Sequence, residues 1–401
     1  MKEVDATPAI EGGRPVREDL LIFGSPDIAE EDIREVEATL RSGWIGTGPR
    51  VGRFEEMFRE YVGARHAVAL NSCTAAIHLS LIALGIKPGD EVITTPMTFA
   101  STANVVHHVG ARPVFVDCLR ETMCIDPDAV GRAVTPRTRA VLPVHFAGRP
   151  CAMGPILETA AAHGLKVVED AAHGVETVCH GRKVGRIGDA TCFSFYVTKN
   201  VITGEGGMVT TDDEEVANWI KVAGLHGLSK DAWKRYSDEG FRHYEITFPG
   251  YKYNMMDLQA ALGIHQIARV AENHERRERL WSRYTEAFAD LPIDVPSPLD
   301  PGDVHARHLF ILLLRLEQLR WSRDRIMEAL YREGIGTGIH YIALHLHPFY
   351  RDAYGYAEGQ FPNAEWISER TLSLPFSTKL TERDAEDVID AVRKVLRAAV
   401  L

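Results

Sequence analysis

No two cysteines in this chain stand at Cys-x-x-Cys spacing; the six are scattered singly between Cys73 and Cys192. That pattern suggests neither a zinc site nor a disulfide framework. Long apolar runs are missing as well. The longest one near a predicted strand, Leu309 to Leu314, falls far short of the roughly 20 residues that cross a bilayer. The opening residues, Met1-Lys2-Glu3-Val4-Asp5, carry neither the basic nor the apolar region of a signal peptide. Basic residues are outnumbered, 45 Lys and Arg against 56 Asp and Glu, for a net charge of −11. That argues against nucleic acid, whose phosphates need a basic face. Internal repeats and low-complexity segments are not found. A soluble cytoplasmic protein with no membrane or nucleic-acid partner is expected.

What is there is 401 residues with 45% hydrophobic content, ordinary for a globular protein and long enough for two domains. Residues 1–25 read as an irregular arm, and Glu30 to Leu40 as a helix with Ile33, Val36 and Leu40 at helical spacing. From His66 to Thr211 strands alternate with helices. The predicted strands are 66–70, 91–94, 112–117, 139–144, 166–169, 190–195 and 207–211, and the predicted helices 75–84, 100–109, 127–134 and 153–163. Such alternation predicts an α/β fold with a mostly parallel sheet covered on both faces. After Gly250 the pattern changes to a long helical stretch, Asp257 to about Ala289. Beyond a proline-rich connection come strands at 308–316, 337–341 and near 371–374, and helices at 323–333 and 381–398. The expected organisation is a large domain over 26–250 and a smaller C-terminal α/β domain over 251–401.

Chemistry concentrates in three segments. In Phe193-Ser194-Phe195-Tyr196-Val197-Thr198-Lys199-Asn200-Val201-Ile202-Thr203-Gly204-Glu205-Gly206-Gly207, an apolar strand ends in one lysine and a glycine-rich turn follows at once. A desolvated lysine has a lowered pKa, and its neutral amine forms a Schiff base with an aldehyde. The plainer alternative is a lysine leaving a strand for solvent. In Leu165-Lys166-Val167-Val168-Glu169-Asp170-Ala171-Ala172-His173, a second strand delivers a carboxylate and an imidazole at its C-terminal end. Together these are what pyridoxal phosphate requires: a lysine for its aldehyde, and a carboxylate that keeps its ring nitrogen protonated. Asp170 can also serve as a helix cap. The third segment runs from the strand at His66–Leu70 through Asn71-Ser72-Cys73-Thr74 into an apolar helix. Ser72, Cys73 and Thr74 thus form a strand-to-helix turn suited to a phosphate, although Ser72 or Thr74 can be a plain N-cap.

With these segments the chain resembles the DegT/DnrJ/EryC1/StrS family of sugar aminotransferases, of fold type I among pyridoxal-phosphate enzymes (aspartate aminotransferase-like). The resemblance runs from about Phe23 to the C-terminal helix. It rests on an ordered set of motifs that includes Ser42-Gly43-Trp44-Ile45-Gly46-Thr47-Gly48-Pro49, Thr95-Pro96-Met97-Thr98-Phe99, Val144-His145-Phe146-Ala147-Gly148, His226-Gly227-Leu228 and Gly334-Ile335-Gly336-Thr337-Gly338-Ile339-His340, besides the three segments above. The resemblance implies catalysis by Lys199 and Asp170. It implies that Phe99 stacks on the cofactor ring, that His173 binds its phenolic oxygen and that Ser194 joins the phosphate site. From the residues alone Phe99 can equally be core, and Ser194 merely small and polar. Substrate contact is expected from His226, His340 and Tyr341. Many members read Gly-Tyr-Asn-Tyr-Arg where this chain reads Gly250-Tyr251-Lys252-Tyr253-Asn254. The resemblance therefore implies that Lys252 reaches the cofactor phosphate of a second subunit in a homodimer with shared sites; otherwise it is a surface lysine. This version is similar to the branch containing UDP-4-amino-4-deoxy-L-arabinose aminotransferase, a likeness that extends to His226-Gly227-Leu228-Ser229-Lys230-Asp231-Ala232-Trp233 and Ser368-Glu369-Arg370.

The implied activity is transfer of an amino group from glutamate to a nucleotide-linked keto sugar, an NDP-4-keto pentose or 6-deoxyhexose, by a ping-pong mechanism. The alternatives are a related deoxysugar lyase or dehydratase, in which the lysine is replaced by histidine, and a non-catalytic regulator on the same scaffold. No metal is expected: His340, His345 and His347 lack both helical i, i+4 spacing and the acidic residue of a His-Glu-x-x-His site. Gly46 to Gly52 has the wrong spacing for a dinucleotide loop, with Pro49 inside it.

Overall fold

The computed structural model describes residues 6–228 and 245–401. Twelve strands are found there: β1 (His66–Leu70), β2 (Glu91–Thr94), β3 (Arg112–Phe115), β4 (Thr138–Val141), β5 (Lys166–Asp170), β6 (Val178–Cys179), β7 (Arg182–Lys183), β8 (Ala190–Ser194), β9 (Gly207–Thr211), β10 (Ile293–Asp294), β11 (Phe310–Leu314) and β12 (Thr371–Leu374). Seven form one sheet in the order β1-β9-β8-β5-β4-β2-β3. The four pairings from β8 to β3 are parallel, and β9 is antiparallel to both of its neighbours. The fold is α/β with a mostly parallel large sheet.

Burial on both faces explains why most of these strands place apolar residues toward both sides. Val167, Val141 and Ile93 face one core cluster, while Val168, Ala140 and Val92 face another. The first face is covered by α5 (Pro127–Ala133) and α6 (Met153–His163), through Val130, Ile156 and Ala160. The second is covered by α3 (Cys73–Ala83), α4 (Ala100–His108) and α7 (Glu214–Ala223), through Ile77, Val105 and Ile220. A smaller antiparallel sheet, β10-β11-β12, packs against α9 (Val270–Ala287), α10 (Arg323–Arg332) and α13 (Glu382–Ala399) around Tyr284, Phe310, Ile326 and Val392. Ile10, Val16 and Leu21 of the N-terminal arm join this second core.

Several elements differ from expectation. The stretch predicted as one helix from Asp257 is two, α8 (Asp257–Ala268) and α9, parted at Arg269, whose ψ of 12° leaves the helical region. Arg269 there pairs with the buried Asp32 of α1 (Glu30–Ser42). The predicted strand at 337–341 makes only a single bridge, Gly338 to Ser373, before His340 and Tyr341 turn toward the large sheet. Pro49 proves to be the first residue of an unpredicted helix, α2 (Pro49–Val62). Its fixed φ suits that position, and its missing N–H has no intrahelical role there. Val51, Phe54, Phe58 and Val62 form the buried face of α2 and pack with Phe193 and Phe195. Two further helices, α11 (Pro348–Tyr354) and α12 (Pro362–Arg370), were likewise unpredicted and also begin on proline.

Candidate active site

At one edge of the large sheet β1, β2, β5 and β8 all reach their carboxyl ends, and antiparallel β9 begins. Ligands of open α/β sheets bind at such edges. The connections there enclose a cavity of about 530 Å³, lined among others by Ser72, Cys73, Thr74, Phe99, Asp170, His173, Ser194, Lys199, His340 and Tyr341. The structure thus gathers all the expected site residues but two. Lys252 and His226 do not line the cavity. They lie on adjoining backbone, where Leu225 and Lys252 form a bridge and the His226 N–H donates to the Tyr251 carbonyl at 2.7 Å. The Lys252 ammonium donates to Asn254 Oδ1 at 2.5 Å. The motif Ser229 to Trp233 lies outside the described residues.

The 72–74 turn is an anion cradle by construction. Ser72 caps α3, its Oγ accepting from the Ala75 N–H at 3.1 Å. The first i to i−4 bond of this helix runs from Ala76 to Ser72 at 3.1 Å, so the N–H groups of Cys73 and Thr74 precede any intrahelical acceptor. With the helix dipole they favour an anion. Gly207 makes room for the turn. A Cβ built on it would lie 2.4 Å from both the Ser72 carbonyl carbon and oxygen, and 2.5 Å from the Cys73 nitrogen.

The Asp170 carboxylate is buried yet held on every side. Its Oδ1 accepts the Ala172 N–H at 3.0 Å and its Oδ2 the Thr102 hydroxyl at 2.8 Å. Its carbonyl accepts the His145 N–H at 3.0 Å. Burial raises its pKa, while those side-chain partners and the charge of Lys199 act against the rise. Lys199 is half-buried, and burial draws its amine down to about 8 although Cys73 and Asp170 pull the other way. A lysine leaving for solvent would show no such depression.

His173 Nδ1 accepts the Ala147 N–H at 3.1 Å. Burial first, then the charges of Lys199 and neighbouring histidines, holds its pKa well below the usual value, so the ring is neutral and its proton sits on Nε2. That Nε2 N–H donates to the Tyr341 hydroxyl at 3.3 Å, a bond it can exchange for one to an oxygen of a ligand in the cavity. His340 has Nδ1 2.8 Å from Ser373 Oγ, and burial with the charge of Lys199 lowers it to about 4. Phe99 is 61% exposed, which rules out core packing within the chain, and its ring lies 6.1 Å from that of Tyr341. The Ser194 hydroxyl accepts from the Tyr196 N–H at 3.4 Å. Thr98, Ser101, Tyr196, Thr198, Glu205 and Gly206 also line the cavity and were not anticipated. His345 pairs with Glu365 at 2.9 Å, away from the cavity. Among the described residues, the His, Cys and acidic side chains whose ligand atoms lie together are Cys179, His180 and Asp303, none of which lines it.

Residues 26–393 match the model of the DegT/DnrJ/EryC1/StrS aminotransferase family. The chain belongs to this family. It is 52% identical over 385 residues to the spore coat polysaccharide biosynthesis protein SpsC of Bacillus subtilis, covering 96% of this chain and 99% of that one. Among solved structures, the putative sugar aminotransferase Spr1654 of Streptococcus pneumoniae in its PMP-form superposes with a TM-score of 0.88 at 34% identity, covering 94% of this chain and 99% of the other. DesI, solved in the presence of its TDP-sugar product, gives a TM-score of 0.86 at 33% identity over 98% of this chain and 97% of the other.

The residues present fit pyridoxal 5′-phosphate. An amine of lowered pKa and a buried, hydrogen-bonded carboxylate line one cavity, and a turn kept open by Gly207 supplies amide donors for a phosphate.

Proposed function

We propose that this pyridoxal-phosphate-dependent sugar aminotransferase moves an amino group from glutamate to an NDP-4-keto sugar, a pentose or 6-deoxyhexose, in two half-reactions. The observation that carries the reading is the convergence of Lys199, Asp170 and the 72–74 turn on a single cavity. When bound, the cofactor supplies an aldehyde to carry the amino group and a protonated ring that withdraws electrons from the reacting carbon. Lys199 would hold the cofactor through its aldehyde carbon, and the same amine, when free, would be the base that moves a proton between the donor's α carbon and the cofactor's C4′. The Asp170 carboxylate holds the proton on the ring nitrogen. His173 donates from Nε2 to the phenolic oxygen, Phe99 covers one ring face, and Ser72, Cys73, Thr74 and Ser194 take the phosphate. His340 and Tyr341, which line the same cavity, would contact the sugar; His226, outside the cavity, is assigned to substrate only through assembly. One water is consumed in the donor half-reaction and one returned in the acceptor half.

Two further parts belong to the proposal. The working unit is a homodimer in which Lys252 of one chain serves the phosphate of the other, and the enzyme acts in the cytoplasm, where glutamate and nucleotide sugars are made. SpsC, named for polysaccharide biosynthesis, and DesI, with its TDP-sugar product, support a nucleotide-linked acceptor. Retention of lysine at 199 disfavours the lyase alternative, and the intact constellation disfavours a non-catalytic regulator. The test is incubation of purified protein with glutamate and a panel of NDP-3-keto and NDP-4-keto sugars, following 2-oxoglutarate and the amino sugar by mass spectrometry. Turnover with a 4-keto acceptor is expected. Amination at C3, a deoxygenated product, or no 2-oxoglutarate with any acceptor would contradict the assignment.

A further inference from the structure

Asp170 sits at the end of β5, but the group that grips its side chain comes from another element. Thr102 lies in the first turn of α4, beside the sheet edge and fully buried. Its hydroxyl donates to Asp170 Oδ2 at 2.8 Å. A hydroxyl has a single hydrogen. The second contact of Thr102, 2.8 Å from the equally buried Thr98 hydroxyl, must therefore be one in which Thr98 donates and Thr102 accepts. The chain of bonds has one direction: Thr98 to Thr102 to the carboxylate. With the Ala172 N–H on Oδ1, each carboxylate oxygen receives one protein donor. Thr98 lines the cavity and Thr102 does not, so Thr102 acts only through Asp170.

We propose that Thr102, oriented by Thr98, is a positioning residue for amino transfer: it fixes the pose and the negative charge of the Asp170 carboxylate toward the cofactor's ring nitrogen. The inference rests on the pyridoxal-phosphate reading of the cavity. A buried carboxylate without enough donors takes up a proton rather than stay charged. Around Asp170 the other groups that bear on its charge are Lys199, His145, Cys73, Cys192 and Tyr341. Both cysteines and the tyrosine have their pKa raised by burial and stay neutral, which leaves Lys199 and His145 as the nearby groups able to carry charge, and Thr102 and Ala172 as the fixed donors. Hydrogen bonds to charged groups are the stronger ones, and removing this one should be felt in both cofactor affinity and rate.

The test compares Thr102→Val, which keeps the shape and loses the hydroxyl, with Thr102→Ser, which keeps the hydroxyl. Thr98→Val is the second variant, removing the donor to Thr102 without touching the bond to Asp170. Four quantities are read on purified protein: the pyridoxal phosphate dissociation constant, kcat and KM for glutamate, and the acid limb of the pH profile of cofactor affinity. Thr102→Val should weaken the cofactor about tenfold and lower kcat by roughly ten- to a hundredfold, with KM for glutamate changed less than threefold. Its acid limb should move to higher pH, because a carboxylate that has lost a donor is more easily protonated. Thr102→Ser should restore all four readouts, and Thr98→Val should give smaller changes of the same sign. Should Thr102→Val not fold, Thr98→Val and Thr102→Ser decide. Wild-type affinity and an unmoved acid limb in Thr98→Val, or a Thr102→Ser enzyme as impaired as a valine variant, would overturn the proposal. A wild-type protein that binds no pyridoxal phosphate would instead overturn the cofactor reading itself.

Discussion

At pH 7 an amine that titrates at about 8 is neutral in roughly one molecule in ten; one at the ordinary lysine value is neutral in fewer than about one in a thousand. Only the neutral form attacks an aldehyde, so the depression of Lys199 is a rate statement. The sign is fixed by burial, which disfavours the charged form. Capture of pyridoxal phosphate by the apoprotein, followed as appearance of the yellow colour, should accelerate as pH rises from 6 and level off just above 8. A profile still climbing steeply at pH 10 would mean that Lys199 behaves as an exposed lysine. Lys199→Ala should show no covalent capture and lose activity by several decades. Asp170→Asn keeps the Thr102 and Ala172 positions but loses the charge, and it should lower kcat by a comparable amount.

Elements place these residues, and the closest fit among them is between β9 and the 72–74 turn. Gly207 carries no Cβ because Ser72 backbone atoms occupy the space at 2.4 Å. Gly207→Ala must push either β9 or the turn outward. It should weaken pyridoxal phosphate at least about tenfold and destabilise the fold by roughly 1–3 kcal/mol, read as a titration and a denaturation curve. Unchanged cofactor affinity would show that the turn does not hold the phosphate. The seven strands of the large sheet were legible in the sequence because each carries a short apolar or β-branched stretch within a regular alternation with helices. The 72–74, 170 and 199 positions were legible because each follows such a stretch. Helix α2 was not: Gly46 to Gly52 invites comparison only with a dinucleotide loop, and Val51, Phe54, Phe58 and Val62 at helical spacing were the overlooked signal. The 337–341 segment alternates like a strand, but tertiary contacts of His340 with Ser373 and of Tyr341 with His173 draw it into the cavity instead. Thr102 was invisible for a different reason: nothing in a sequence says that a buried threonine faces a carboxylate 68 positions away.

On the scale of the whole molecule, the chain leaves Trp44, Ile45, Phe99, Tyr196 and Met256 exposed. Three of these, Trp44, Ile45 and Met256, flank the Thr47–Asn254 hydrogen bond of 2.6 Å, next to Lys252. A homodimer that covers this surface would carry Lys252 into a second site, and cofactor affinity would then depend on assembly. Lys199→Ala and Lys252→Ala chains, each folded and inactive alone, should regain activity on mixing, because one site per mixed dimer receives both wild-type side chains. No recovery despite subunit exchange would exclude sharing through Lys252. The most direct measurement concerns the cofactor's attachment. Holoenzyme is reduced with borohydride, digested, and its peptides are weighed. A phosphopyridoxyl group is expected on the peptide that contains Lys199, and on no peptide of the Lys199→Ala protein. The group on any other lysine, or on none, would contradict the site described above.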